Sequence, residues 1–349
     1  MGVVCKPLDE AAEPAWDAFV TAMPEGTFFH LSGWRRVIAR AFGHSTHYVL
    51  TERDGAITGV LPLALVSSPL FGRTLISSPF CVYGGPVAAD AESAAALTAH
   101  AETLLGRTGA AAVEFRHLHP LPTDWPAQTG WEARPDLYVT FRKPLLAGEE
   151  ANMAAIPRKQ RAMVRKGIQN GLTSVLDPSP ARLWRIYAES VRNLGTPVFA
   201  RRYFELLMET FREHADIVTV LDGEMPIASV MNFYFRGEVL PYYGGGIAAA
   251  RGRAGNDFMY WEVMRRAATR GLALFDFGRS KLGTGAFSFK KNWGFAPAPL
   301  HYRYKLRPGA ALPDHNPLNP KYRLFIAAWK RLPLPVANLI GPHIVRGIG

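Results

Sequence analysis

Two halves of the chain repeat the same order of motifs, and this repeat constrains the fold more than any other feature of the sequence. Each half contains two β-rich apolar runs joined at an Asp-Gly pair, in residues 48–66 and again in residues 217–235. Such a pair between apolar segments is typical of a β-hairpin. A Tyr-Gly-Gly sequence follows each hairpin and is expected to end a third strand. We therefore expect one supersecondary unit to be built twice.

The halves continue to match after the hairpins. An Ala-rich helical pattern occupies residues 91–106 and 257–270, and a short strand with one carboxylate, Glu114 or Asp276, comes next. A glycine-aromatic turn and a closing strand complete each half, and two helical patterns precede each hairpin. One helix among antiparallel strands excludes a doubly wound nucleotide-binding fold. Because this order resembles the GNAT (acyl-CoA N-acyltransferase) fold, we predict an α+β (α/β) chain of tandem duplicated GNAT-like domains, each a mixed, mostly antiparallel sheet with flanking helices.

The length and charge of the chain define its broad class. A chain of 349 residues exceeds what one core usually supports, so we place domains at 1–150 and 151–310, followed by a basic amphipathic tail at 311–349. The formal net charge of +11 predicts an anionic partner, namely cofactor phosphates, RNA or an acidic membrane surface. With two cysteines, no export signal in residues 1–30 and no apolar run of transmembrane length, we expect a cytoplasmic protein.

Two basic segments leave alternatives open. Residues 157–170 predict a helix with five positive and no negative side chains, which is either a solvated face or a docking surface for phosphates or RNA. The tail has no acidic residue from His315 onward, and its basic residues alternate with apolar runs. It could lie on an anionic inner-membrane surface or pack against the second domain, and its prolines argue against one continuous helix.

Acyl transfer needs an anchored donor and a polarised carbonyl, and the second half offers groups for both. In a GNAT-like domain the donor lies at the end of the strand before the long helix, here within residues 242–262. Arg251, Arg253 and Asn256 are our candidate donor-binding residues there, because a helix start beside arginines favours anions. Alanine and asparagine replace the usual glycines, which weakens the case for ordinary acetyl-CoA. The matching residues 86–95 contain no Lys or Arg, so we place the active site in the second half.

A more specific resemblance rests on motifs in this half. The sequence contains N-x-x-x-x-W from Asn256, F-D-F-G from Phe275 and F-K-x-x-W-G from Phe289. These motifs, together with the basic helix before them, resemble FemAB-type transferases. Over nearly its full length the chain is most similar to FemAB-related proteins associated with PEP-CTERM/exosortase systems. The long coiled-coil arm that some Fem-type proteins insert is absent from the sequence, which reduces the support for tRNA docking.

The resemblance suggests specific residue roles. Lys290 matches the Phe-Lys position at the acyl-transfer centre of Fem-type enzymes, where it could stabilise an oxyanion or a phosphate leaving group. Asp276 is the second catalytic candidate. It could orient the attacking amine or take its proton, or it could be a structural carboxylate paired with Arg279. Further candidates for substrate or donor binding, each with a structural alternative, are Arg279, Lys281, Lys291, Tyr243, Asn232 and Trp293. No metal site is expected, since His117 and His119 have no third ligand nearby in the sequence.

The leading hypothesis is an N-acyltransferase that acts on an amine acceptor in cell-envelope or exopolysaccharide biosynthesis. Its co-substrate would be an acyl thioester of CoA or acyl carrier protein, or an aminoacyl-tRNA, with no tightly bound cofactor. One alternative is an aminoacyl-tRNA-dependent, peptidoglycan-type peptidyltransferase. Two others are a non-catalytic protein that binds the membrane surface through its tail and an RNA-binding module that uses the basic helix.

Overall fold

The computed structural model describes residues 2–69, 71–125, 129–312 and 320–349. The described residues form two compact units. The first unit draws on 1–137, 299–315 and 346–349, and the second on 138–298 and 316–345. Each unit has its own sheet with flanking helices, as the repeat predicts.

The first unit begins with a strand and two short helices, followed by a hairpin. Its elements are β1 (Val4–Pro7), α1 (Glu13–Ala22), a 3-10 turn (Phe28–His30), α2 (Gly33–Phe42), β2 (Ser45–Arg53), β3 (Ala56–Ser68), β4 (Gly72–Ser77), β5 (Val87–Ala88), α3 (Ala91–Thr108), β6 (Ala112–His117) and β7 (Trp131–Arg134). Asp54 and Gly55 have φ values of 54° and 82°, which fit the tight hairpin turn predicted there.

The second unit repeats the order with additional helices. Its elements are β8 (Val139–Pro144), α4 (Glu149–Ala155), α5 (Arg158–Gln169), β9 (Thr173–Leu176), α6 (Ala181–Leu194), α7 (Arg201–Thr210), a 3-10 turn (Arg212–His214), β10 (Ala215–Asp222), β11 (Met225–Phe235), β12 (Glu238–Gly246), α8 (Ala248–Arg253), α9 (Gly255–Thr269), β13 (Leu274–Asp276), α10 (Gly285–Asn292) and β14 (Pro297–Pro299). Three elements follow it in the chain, namely β15 (His301–Leu306), α11 (Pro320–Trp329) and α12 (Leu334–Val345).

The two sheets exchange their closing strands. In the first sheet the order is β1-β2-β3-β4-β6-β15-β7, with β5 paired to β3, so a strand from near the C-terminus lies between β6 and β7. In the second the order is β14-β8-β13-β12-β11-β10-β9, so β8, from the first half, lies between β14 and β13. The compact units therefore do not follow the division that we predicted at 150/151 and 310/311. The two closing strands have similar patterns, and nothing in either pattern specifies which sheet it joins.

The Tyr-Gly-Gly motif does not have the same structure in the two halves. Tyr243, Gly244 and Gly245 lie inside β12, as predicted. Residues 83–85 instead lie in the loop between β4 and β5, so the expected strand end is wrong for the first half. In this loop, Gly84 approaches Ser77 too closely for a side chain, since a Cβ would lie 2.7 Å from the Ser77 carbonyl oxygen.

The glycines of β12 permit close packing of protein on both faces. A Cβ at Gly245 would lie 2.3 Å from Ser190 Oγ on α6, and a Cβ at Gly246 would lie 2.6 Å from Asn256 Oδ1 on α9. The space beside these two glycines is filled by the helices that cover the sheet.

The basic helix predicted between the halves is α5, and it packs on α9. The Gln160 amide donates to Oδ1 of buried Asp257, and Gly167 lies against Phe258, where a Cβ would meet the Phe258 Cβ at 2.8 Å. Most of its basic side chains are exposed on the opposite side, namely Arg158, Lys159, Arg165 and Lys166. The amphipathic pattern thus specifies which face of α5 is buried.

The described part of the tail forms two helices separated by a short turn, which agrees with the prediction from its prolines. Trp329, Ala337 and Val345 are buried, and α12 packs against α6. Within the part of the chain that the structure describes, no helix combines the length and apolar character needed to cross a membrane. Residues 313–319, the start of the tail, lie outside the described residues.

The exchange of β15 predicts that a fragment of residues 1–150 does not fold by itself. Without β15, the described hydrogen-bonding edges of β6 and β7 lose their shared partner, and exposed strand edges promote aggregation. We expect the fragment to be insoluble or to lack a cooperative thermal transition by circular dichroism, whereas co-expression with residues 151–349 restores one. A cooperative transition of the isolated fragment would contradict this role of β15.

Replacing Asp257 by asparagine should stabilise the folded state, and the gain should depend on pH. Burial raises the pKa of Asp257 to about 6, although the hydrogen bond from Gln160 opposes the shift. The folded state therefore binds this proton more tightly than the unfolded state, and ionisation costs stability as the pH rises from about 4 to above 6. Asp257→Asn should raise the free energy of unfolding by about 2 kcal/mol at pH 7 and by little at pH 3.5.

The measurement is urea unfolding at both pH values. Asp54→Asn, at an exposed hairpin turn, is the matched control and should show no comparable pH dependence. If Asp257→Asn changed the free energy of unfolding equally at the two pH values, ionisation of the buried Asp257 carboxylate would not be what costs stability.

Candidate active site

Strands β12 and β13 diverge in the second unit and leave an opening between them. They pair in parallel only at Glu238 with Leu274 and at Val239 with Phe275, whereas β12 continues to Gly246. The pairing of β12 with β11 shifts between Met231 and Asn232, which leaves Tyr242 as an extra residue in a β-bulge. Beyond Val239 the backbone of β12 therefore no longer pairs with β13.

Asp276 ends β13 beside this opening and is 1% exposed. Its Oδ1 accepts a 2.6 Å hydrogen bond from the Gly278 N–H, and its Oδ2 lies 3.2 Å from Nε of Arg142 on β8. Arg142 also pairs with Glu238 on β12. The carboxylate thus holds the Gly278 turn and neutralises an arginine, and its ion-pair partner is Arg142 rather than the predicted Arg279.

Lys290 lies in the last turn of α10 and points back to the same turn. Its Nζ donates to the carbonyl oxygens of Gly278, at 3.0 Å, and Arg279, at 2.9 Å. Burial lowers its pKa to about 8, the Arg279 charge acts in the same direction, and the Asp276 carboxylate opposes the shift. An ammonium group has three N–H donors, and these contacts use two of them. One donor is thus available to a ligand near the end of β13.

Other cations surround the turn. The Arg279 guanidinium lies 4.6 Å and the Lys281 ammonium 5.1 Å from the ring centre of Tyr138. Lys291 follows Lys290 on α10 and is exposed. We call Arg142, Arg279, Lys281, Lys290 and Lys291 the cationic cluster. An excess of positive charge beside Asp276 favours a ligand that carries or develops negative charge.

Tyr243 and Asn232 do not come together in the structure. The Tyr243 hydroxyl lies 2.8 Å from the Tyr203 hydroxyl, on the face of the sheet that α6 and α7 cover. Asn232 is fully buried, and its Nδ2 donates to Oδ1 of Asp216 at 2.8 Å. Because side chains alternate along a strand, Asn232 lies on the opposite face from Met231, the partner of Tyr243. Asn232 contributes to a buried polar pair.

Of the candidates near the start of α9, some are held by protein contacts and one is exposed. Arg253 forms a 2.8 Å ion pair with Asp222 and donates to the carbonyl of Asn170, so its position is set by protein contacts. Arg251 is exposed on α8. The Asn256 side chain lies against Gly246, and Trp293 is fully buried among Tyr260, Phe277 and Phe289. Short helix α8 occupies part of the segment in which the donor site was expected, and Arg251 is the exposed cation of this group.

Sequence reasoning missed Arg142, Tyr138 and Phe141. All three lie in or next to β8, the exchanged strand, and Lys290 Nζ lies 5.7 Å from the Phe141 ring centre. The basic pair Arg142-Lys143 stands out in the sequence, but only the sheet order brings it to this site. His117, by contrast, is buried on β6, and burial lowers its pKa to about 3. Among the described residues, no group of three or more His, Cys, Asp or Glu side chains is arranged to hold a metal.

Comparisons with known proteins agree with this geometry. Residues 158–291 match the model of the acetyltransferase (GNAT) domain family, so this part of the chain carries the cationic cluster except for Arg142. The match confirms the prediction of an acyltransferase enzyme. No curated protein sequence is significantly similar to the chain.

Solved structures share the fold at low sequence identity. FemX is 15% identical, with 93% of this chain and 100% of that chain covered and a TM-score of 0.65. The C-terminal domain of a lysylphosphatidylglycerol synthetase from Agrobacterium fabrum is 14% identical, with 86% and 93% covered and a TM-score of 0.57. A tandem GNAT protein from the clavulanic acid pathway is 15% identical, with 89% and 100% covered and a TM-score of 0.54. The predicted tandem GNAT-like fold is confirmed.

We expect Arg142 and Asp276 to be strongly coupled in their effects on folding stability. Replacing Arg142 by methionine removes the guanidinium beside a carboxylate that stays buried, and breaking such a pair costs about 3 kcal/mol or more of folding stability. In the double variant Arg142→Met/Asp276→Asn the uncompensated charge is gone, so part of the stability should return. Urea unfolding of the two single variants and the double variant measures this coupling. Additive losses would show that the two side chains do not stabilise each other.

Proposed function

We propose that the chain transfers an acyl or aminoacyl group from a carrier to an amine at the opening between β12 and β13. The observation that carries the proposal is the partly buried Lys290 ammonium, held by two carbonyls at the end of β13 with a third donor available. Acyl transfer develops negative charge on the carbonyl oxygen in the transition state, and a preorganised donor in a dry site stabilises that charge.

In this mechanism the acceptor amine attacks the acyl carbonyl and a C–N bond forms. Lys290 donates its third N–H to the developing oxyanion. When the tetrahedral intermediate collapses, the bond to the carrier breaks, and the leaving thiolate or alkoxide takes up the proton that the amine loses. Asp276 acts as a positioning residue, because it is 1% exposed and holds both the Gly278 turn and Arg142.

The donor is either an acyl thioester of CoA or acyl carrier protein, or an aminoacyl-tRNA. Two observations make ordinary CoA binding the weaker choice: α8 lies in the segment where donor phosphates were expected, and Arg253 is engaged by Asp222. The exposed basic side chains of α5 offer a surface for tRNA phosphates. The name of one structural neighbour includes lysylphosphatidylglycerol, which is an aminoacylated lipid. This name also supports an aminoacyl group as the one transferred.

We place the acceptor amine in cell-envelope or exopolysaccharide biosynthesis of the PEP-CTERM/exosortase type. This assignment rests on the motif resemblance of residues 256–295 and on the similarity along the chain. A map of neighbouring genes tests it: exopolysaccharide or exosortase genes beside this one would support the assignment, and their absence in several genomes would remove it.

The pKa of Lys290 leads to an expected pH dependence of turnover. Since its pKa is about 8 and the proposed role needs the ammonium, activity should fall as the pH rises through 8. Lys290→Ala should lower kcat by about 100-fold or more at pH 7. Lys290→Arg keeps the charge, so its residual activity should lack the decline near pH 8.

Native mass spectrometry against CoA thioesters, acyl carrier protein and aminoacyl-tRNA first identifies the donor, and turnover is then measured from pH 6 to 10. Lys6→Ala, on exposed β1, is the matched control. Full turnover of a folded Lys290→Ala variant would remove Lys290 from the mechanism. Activity that instead rises through pH 8 would contradict the proposed role of the Lys290 ammonium.

A further inference from the structure

Helix α12 is apolar on both sides, although only one side is covered. Ala337, Gly341 and Val345, spaced four residues apart, face inward, and Gly341 lies so close to Val198 that a Cβ would meet its backbone nitrogen at 2.9 Å. The outward side carries Val336, Leu339 and Ile340, and Leu339 is 75% exposed. A helix that is apolar all round is normally buried, so the outward side of α12 suggests a partner.

Helix α11, the preceding helix of the tail, also exposes large apolar side chains. Trp329 is buried, whereas Leu324 is 82% and Phe325 41% exposed. Residues 320–345 hold five of the twelve large hydrophobic side chains that are exposed in the described part of the chain. We call these five the tail face: Leu324, Phe325, Val336, Leu339 and Ile340. Scattered exposed leucines are ordinary, but a cluster of this kind marks an interaction surface.

The charged side chains that α11 and the turn after it contribute are all positive. Arg323, Lys330 and Arg331 are exposed beside the apolar side chains, and the sequence has no Asp or Glu after Asp314. A second copy of the chain that docked through the same face would bring these cations against one another. A nucleic acid would match the charges but would leave the apolar side chains without a partner. An anionic lipid surface matches both, since acyl chains receive the apolar groups and headgroups receive the cations.

We propose that the tail face docks on an anionic lipid bilayer. The helices α11 and α12 lie in the plane of the interface, with Leu324, Phe325 and Leu339 inserted below the headgroups and the cations at the phosphate level. The buried sides of both helices stay on the second unit, so docking requires no unfolding. This interaction is independent of the proposed acyl transfer and positions the protein where membrane-bound acceptors are found.

The test is co-sedimentation of the full chain with vesicles of phosphatidylcholine alone or of phosphatidylcholine mixed with phosphatidylglycerol. The wild-type protein should sediment with the mixed vesicles, less with the neutral ones, and less at high salt. Leu324→Glu/Leu339→Glu should lower the partition coefficient by at least about tenfold, because it places carboxylates in the apolar layer. The matched control is Leu146→Glu/Leu176→Glu, which changes two leucines of the second unit that are 44% and 46% exposed.

Circular dichroism confirms that both double variants fold, and light scattering gives their oligomeric state. The proposal is overturned if the wild-type protein does not sediment with mixed vesicles, or if the tail variant sediments as well as the wild type. It is also overturned if the control variant loses binding equally. A wild-type dimer that ignores vesicles and becomes monomeric in the tail variant would instead assign the face to self-association.

Discussion

The contact between Arg142 and Asp276 connects the fold to the candidate site. Asp276 is almost completely removed from water, and a carboxylate in such a place requires a nearby cation and hydrogen-bond donors. The cation comes from β8, a strand that precedes the second half of the repeat, and the donor is the Gly278 amide. The site therefore depends on the exchange of strands, and the sequence of the second half does not contain all of it.

The position of Lys290 follows from the same contact. Because Asp276 holds the Gly278 N–H, the carbonyls of Gly278 and Arg279 are fixed where α10 can bring a lysine to them. Burial beside Phe141 lowers the pKa of Lys290, and the carbonyls keep its N–H donors in a defined direction. The short turn between β13 and α10 thus sets both the position of the Lys290 ammonium and its pKa.

Local patterns in the sequence predicted the hairpins, the helices and the tandem order, because periodicity and turn residues act over a few positions. They did not predict the strand exchange, since β8 and β15 have similar patterns and only tertiary packing assigns each to a sheet. They also did not reveal that Arg253 pairs with Asp222 or that Asn232 pairs with Asp216, because a partner distant in sequence leaves no local signal. Lys290 was found through a motif resemblance and not through its composition.

The first unit shows which part of the site the fold itself requires. Glu114 lies on β6 at the place that corresponds to Asp276 on β13, and it too is buried and paired with an arginine, since Arg116 Nε lies 2.7 Å from its carboxylate. Arg116 also donates to the carbonyl of Cys81, so the pair again orders a loop beside the sheet. A carboxylate and arginine pair at this strand is therefore common to both units. The matching segment of the first half has no Phe-Lys-Lys sequence. The ammonium of Lys290 is what the second unit adds to a shared scaffold, which is why the chemistry is assigned to it and only positioning to Asp276.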